Sequence, residues 1–158
     1  MKKRHLTCLL LALLLLGACQ PQEEAANAGS FTVTFTDHSG AAATALEVYL
    51  FDADALSPSL TRPRSGYLAC TSIHAPGRNS GDTAPMTRGE TYPSVPFSAD
   101  TVPVLGGEDA PEKVVLCFDL DGARRGQFSA PLDQLWGGTV QCQLDREGRF
   151  SAQLTGDV

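Results

Sequence analysis

Phe31-Thr32-Val33-Thr34-Phe35-Thr36 is the stretch on which the fold class turns. Aromatic and β-branched apolar residues alternate strictly with threonines. That is the period of a strand with one face in a core and the other in water. The pattern recurs along the chain. Asp37-His38-Ser39-Gly40 reads as a turn, after which Leu46, Val48 and Leu50 alternate with Glu47, Tyr49 and Phe51. Residues 66–74 read as a third strand. Phe97 to Leu105 reads as a strand interrupted by Pro103 and so placed at an edge. Val114 to Leu120 is the most apolar run after the leader and reads as a central strand. Thr139 to Asp145 and Arg149 to Leu154 form the clearest hairpin, with Gly148 where a short loop needs positive φ. Helical signals are brief: Ser57-Pro58 could cap one turn, and Ser129 to Gly137 has a serine cap, an early proline and a terminal glycine.

Short strands, many turns and no long helix predict an all-β chain, a small antiparallel β-sandwich with one or two short helical turns. Its expected type is transthyretin- or immunoglobulin-like. A small closed barrel is the alternative. Phe31–Asp54 and Phe97–Asp121 share an order of strand, glycine turn and strand. Each then leads to a cysteine-bearing strand, at Cys70 and Cys142, so a duplicated unit is one explanation. Residues 75–96 carry Pro76, Gly77, Gly81, Pro85, Gly89, Pro93 and Pro96 and no apolar period. They read as a long loop of the kind that carries function on a rigid scaffold. Tyr92 within it is the candidate exposed contact.

The start of the chain speaks to location. Lys2, Lys3 and Arg4 precede an almost unbroken leucine run from Leu9 to Leu16, followed by Gly17, Ala18 and Cys19. The three zones are those of a secretory signal. The apolar run falls short of the roughly 20 residues needed to span a bilayer. Leu16-Gly17-Ala18-Cys19 resembles the lipobox of bacterial lipoproteins. The resemblance implies cleavage before Cys19, acylation of that cysteine and a durable membrane anchor, because two or more chains hold where one does not. Gln20 follows the cysteine in place of the Asp associated with inner-membrane retention, which implies the outer membrane in a cell that has two. The expected organisation is therefore a signal at 1–18, a lipidated cysteine and tether at 19–30, and one sandwich domain at 31–158. Eleven tether residues reach about 36 Å when extended. In its lipobox, short tether and the alternating Ala45–Phe51 stretch, the chain is similar to the small lipoproteins of type VI secretion systems. That likeness implies a transthyretin-like sandwich and assigns no site residues.

Composition excludes several functions. The chain has 12 Lys and Arg against 18 Asp and Glu. Lys2, Lys3 and Arg4 leave with the signal and no acidic residue does, which takes the net charge from −6 to −9. Nucleic acid is disfavoured, since its binding rests on neutralising phosphates. A peripheral grip on anionic lipid is disfavoured too. The expected membrane contact is the acyl chains on Cys19 alone.

Cys70, Cys117 and Cys142 remain for an exported compartment that permits disulfides. Cys117–Cys142 is the first expected bridge and Cys70–Cys117 the second. Asp52/Asp54 and Asp119/Asp121 place paired carboxylates on turns, but neither continues as a calcium loop. Asp121-Gly122 reads more simply as a turn. Cys70 and His74 share a strand face, and with Met86 they suggest a soft copper site, though the chain is poor in Met and His. No Gly-x-Ser-x-Gly elbow, Cys-x-x-Cys or phosphate-cradling loop occurs. His38 and His74 are the only imidazoles outside the leader. No catalytic residue, metal or cofactor is expected. The reading is a lipid-anchored envelope module that binds or assembles without catalysis, with an envelope protein as partner. The alternative is a module for a glycan, a metal or a small molecule.

Overall fold

The computed structural model describes residues 29–40, 43, 45–56, 66–74 and 90–156. The leader, Cys19, tether residues 20–28, Ser57-Pro58 and residues 75–89 with Met86 lie outside the described residues, and Ser30, expected in the tether, already belongs to the first strand. Nine strands are described: β1 (Ser30–Asp37), β2 (Ala45–Asp52), β3 (Ala69–His74), β4 (Glu90–Thr91), β5 (Val95–Ser98), β6 (Lys113–Leu120), β7 (Ala123–Pro131), β8 (Thr139–Leu144) and β9 (Phe150–Thr155). A 3-10 turn at Pro103–Gly106 and a one-turn helix, α1 (Leu132–Leu135), complete the list. No helix among these residues is long and apolar enough to cross a membrane.

The strands form a β-sandwich, as the period-two pattern predicts. In the first sheet β4 and β5 lie end to end along one edge of β1, followed by β8 and β9. The second sheet runs β3-β2-β6-β7. One pair departs from the antiparallel expectation: β1 and β8 are parallel, with Thr32 opposite Thr139 and Asp37 opposite Leu144. The alternation on β1 does what it promises. Phe31, Val33 and Phe35 point between the sheets and are each about 1 % exposed. They meet Val48, Leu50, Leu116 and Phe118 from the second sheet in one core. Phe35 stacks on Phe118 at 5.9 Å, which ties the sheets together at their centre. Val114–Leu120 is central, between β2 and β7.

Local chemistry also accounts for the departures. Pro103 does not interrupt a strand. The strand ends at Ser98, whose side chain is bound to that of Thr101 at 3.1 Å, and the fixed φ of Pro103 starts the 3-10 turn. Ser129 to Pro131 belong to the end of β7, so the predicted helix shrinks to α1. The following Trp136 packs at 6.0 Å from Phe31 over the sandwich end. The duplication is not carried through, since Cys70 lies in the second sheet and Cys142 in the first.

The whole of β7 went unseen in the sequence, although Asp121-Gly122 announces it. Both residues have positive φ, 47° and 78°, the conformation of a two-residue hairpin turn. The Asp121 carboxylate also accepts the Ala45 N–H at 2.9 Å, fastening the turn to β2.

The two long sides of the sandwich differ. At the β7/β9 side the Phe150 ring fills the space beside Gly126 and lies 5.2 Å from Phe118, closing the core. At the β3/β5 side the sheets stand apart over a groove.

Candidate functional site

The cysteines do not meet. Cys70, Tyr49 and Cys117 form one row across β3, β2 and β6. The two thiol-bearing strands are therefore two strand spacings apart, about 9–10 Å, against the roughly 4.4–6.8 Å between Cα atoms that a disulfide requires. Cys142 points into the core between the sheets, whereas Cys117 belongs to the cluster on the outer face of the second sheet. Both expected bridges, Cys117–Cys142 and Cys70–Cys117, are thus corrected: all three residues are free thiols. Being close in sequence and in strands could not tell which face each occupies.

That outer face carries a second, smaller apolar cluster of Tyr49, Phe51, Val115 and Cys117. Tyr67, 45 % exposed, packs edge-on against Tyr49 at 5.6 Å. The Tyr49 hydroxyl donates to Glu47 at 3.3 Å. Burial, with the charges of Cys70 and Glu47 behind it, pushes this phenol up to about 12. Burial also raises the Cys70 and Cys117 thiols; at Cys117 the Arg124 charge pulls the other way. Cys142 is pushed up to about 12 by burial alone. Every resolved shift at a thiol or phenol disfavours the nucleophilic form.

The neighbouring row sets Ser72, Glu47 and Asp119 side by side, and Arg124 pairs with Asp119 across the β6–β7 hairpin. Arg124 Nε donates to Asp119 Oδ1, with the Arg side chain 14 % and the Asp 1 % exposed. Sequence reasoning did not find this ion pair. The signal was available, since an Asp-Gly turn after Leu120 brings residues near 124 beside Asp119.

The other candidates separate. Asp119 is engaged by Arg124, and Asp52 accepts the Asp54 N–H at 2.9 Å in its own turn. Asp52 pairs with Val114 and Asp119 with Glu47, so the two carboxylate pairs sit at opposite ends of the β2/β6 ladder. Cys70 and His74 share the outer face of edge strand β3, four residues apart, about 13 Å. Among the described residues no group of three or more His, Cys, Asp or Glu could hold a metal.

Tyr92 is the plainest correction. It is 2 % exposed, its N–H donates to Phe35 O at 2.9 Å, and its ring meets Phe35 edge-on at 5.7 Å. It is a core residue and not a surface contact. The end of the supposed loop is the broken edge strand β4/β5, whose pieces are too short and too rich in proline to show a period.

What that stretch does supply is one wall of the groove. Ser94, Val95, Pro96 and Phe97 face β3 across a cleft of about 510 Å³ whose floor includes Ile73 and Val102. Its two walls are edge strands. Pro96 interrupts the donors of β5, a usual protection of an edge. Strand β3, with the sequence Ala-Cys-Thr-Ser-Ile-His, has no proline, lysine or bulge. The remaining edges differ again: β7 carries Arg124, Arg125 and a register shift opposite Phe118/Asp119, and β9 lies on the side closed by Phe150. Among the described residues β3 is therefore the unprotected edge that borders an apolar cleft.

No family model matches the chain, and no curated protein matches it. It is similar to a solved structure described as "a putative cell adhesion protein from Bacteroides ovatus", with 12 % identity and a TM-score of 0.32. The match covers 80 % of this chain and 44 % of that one, so the chain spans less than half the length of that protein.

Proposed function

We propose that the protein is an exported module, anchored through acyl chains on Cys19 to the outer membrane, that holds an envelope protein without catalysing a reaction. The observation that carries this reading is the β3/β5 cleft: an apolar trough of about 510 Å³ between two strand edges, one of them unprotected. An extended segment of the partner adds to β3 by main-chain hydrogen bonds and sets alternate apolar side chains into the cleft, against Ile73, Val95 and Phe97. Affinity then comes from the backbone and selectivity from the cleft. The chemistry nearby supports binding over catalysis. The thiols and Tyr49 are biased toward their neutral forms, and Asp119 is held by Arg124. His38 and His74 stand at the ends of different strands in different sheets.

The test is in-cell crosslinking and recovery of the full-length protein through a C-terminal tag. It is run beside Cys19→Ala, which removes the anchor, and Thr71→Lys, which puts an ammonium into the cleft from the β3 edge. One envelope protein recovered with the native form, and lost with Thr71→Lys while folding is retained, is the expected result. Recovery of abundant outer-membrane proteins alone, or recovery unchanged by Thr71→Lys, overturns the reading.

A further inference from the structure

The outer face of the first sheet differs in kind from the rest of the surface. Its rows can be read from the register. Thr91, Thr36, Gln143 and Ser151 lie side by side, as do Thr34, Gln141 and Gln153, and next to them Pro96, Thr32, Thr139 and Thr155. None of these positions is charged. Soluble surfaces usually carry charge at about a quarter to a third of positions, and the chain as a whole is 19 % charged. The second sheet's outer face, by contrast, carries Glu47, Asp119, Arg124 and His74. On this outer face charge returns at the hairpin end, where Arg149 is paired with Asp145 at 2.8 Å and with Glu147 at 3.3 Å.

The uncharged face is also shaped. A shallow trough of about 420 Å³ runs across it, lined by side chains of β1, β4, β8 and β9. Its polar groups are steadied across the strands. The Thr36 and Thr91 hydroxyls lie 3.1 Å apart, and Gln153 Nε2 donates to Gln141 Oε1 at 3.2 Å. That amide bond uses one donor and one acceptor of the pair, and each glutamine amide can make further bonds. The trough thus offers hydroxyls and planar amides, donors and acceptors together, at strand spacing.

We infer that this face binds a neutral polysaccharide. Charge decides between occupants. An anionic polymer would find no cation in the trough and a cationic one no carboxylate, and the chain's net charge of −6 repels the first. An apolar peptide face would have to strip water from threonine and glutamine without replacing those hydrogen bonds. A chain of uncharged hydroxyls matches the side chains present group for group. With no aromatic ring on the face to stack a sugar, each contact is weak. Useful binding then comes from many sugars on one polymer meeting many anchored copies.

The test is affinity electrophoresis of the full chain in mild detergent, through native gels holding a β-glucan, an α-glucan, a mannan or a galactan, with alginate as the acidic comparator. Retardation by at least one neutral polymer is expected. It should weaken about tenfold in apparent affinity, about 1.4 kcal/mol, in the double variant Gln141→Ala/Gln153→Ala. Gln127→Ala, on the outer face of the other sheet, should match the parent. Retardation by none of the neutral polymers, by alginate equally, or to the same degree in the double variant overturns the inference. So does a dimer in sedimentation that the double variant dissociates, because the face would then belong to a second copy. Circular dichroism of each variant establishes that folding is unchanged.

Discussion

Gly126→Ala should be one of the most damaging single-methyl changes in this protein. A Cβ built on Gly126 collides with the Phe150 ring, against Cγ and Cδ1 and 2.6 Å from Cδ2. Ordinary carbon contacts lie at about 3.5–4.0 Å, so the ring must retreat by about an ångström or more. The obstructing atoms are the root of an aromatic ring, which cannot bend aside as the tip of a long side chain could. Overpacking of this kind costs about 1–3 kcal/mol. Withdrawal from Phe118, 5.2 Å away, forfeits about 0.5–1.5 kcal/mol more. Against this, alanine is better than glycine in a strand by about 0.5–1 kcal/mol. The net expectation is a loss of about 2–3 kcal/mol, a large share of a domain's usual stability. The assay is urea unfolding of the parent, Gly126→Ala, Phe150→Ala and the double variant. With the ring removed, Gly126→Ala should be neutral or slightly stabilising, so the cycle should return a coupling of about 2–3 kcal/mol. A cost below about 0.5 kcal/mol, or the same cost in both backgrounds, refutes the claim that the ring is what demands glycine.

Arg124→Ala leaves the Asp119 carboxylate buried without its main counter-charge, and should cost about 3 kcal/mol in urea unfolding. A cost near that of an exposed pair, under about 1 kcal/mol, would sink that account. Under native conditions a maleimide should label Cys70 alone among the three domain cysteines, with Cys117 and Cys142 reacting only on unfolding, as read by peptide mass spectrometry. A disulfide between any two of them would contradict the strand register. Ultraviolet titration should find a phenol ionising near 12 that Tyr49→Phe removes. Because folding raises this group's pKa, its contribution to stability is complete below pH 10 and declines as pH rises toward 12. Stability at alkaline pH should therefore fall less steeply in Tyr49→Phe than in the parent.

What was legible in the sequence is what alternation alone specifies. Phe31–Thr36, Leu46–Phe51 and the Thr139–Leu154 hairpin each state their secondary structure and their buried face within a few residues, and the unbroken apolar run Val114–Leu120 states a central strand buried on both faces. Strand period is a local property, so no tertiary information is required to read it. Where an element has neither that period nor an unbroken apolar run, the sequence said little. β7 is an edge strand whose inward side includes a glycine, and β4 and β5 have two and four residues with prolines between and within them.

The sequence by itself therefore determined that the chain is all-β, where its main strands run, and that Asp121-Gly122 turns. It also carries the features on which export and lipidation at Cys19 are proposed. The tertiary structure alone decided which strands share a sheet, and everything that follows from it. It set Tyr49 between Cys70 and Cys117, gave Asp119 to Arg124, buried Tyr92 against Phe35, opened the β3/β5 cleft and gathered the uncharged side chains of β1, β8 and β9 on one face. The reason is that register and sheet membership come from pairing between strands far apart in the chain. A side chain's period shows that it has a buried face, but the identity of its neighbours across the ladder is fixed only when the partner strand is in place.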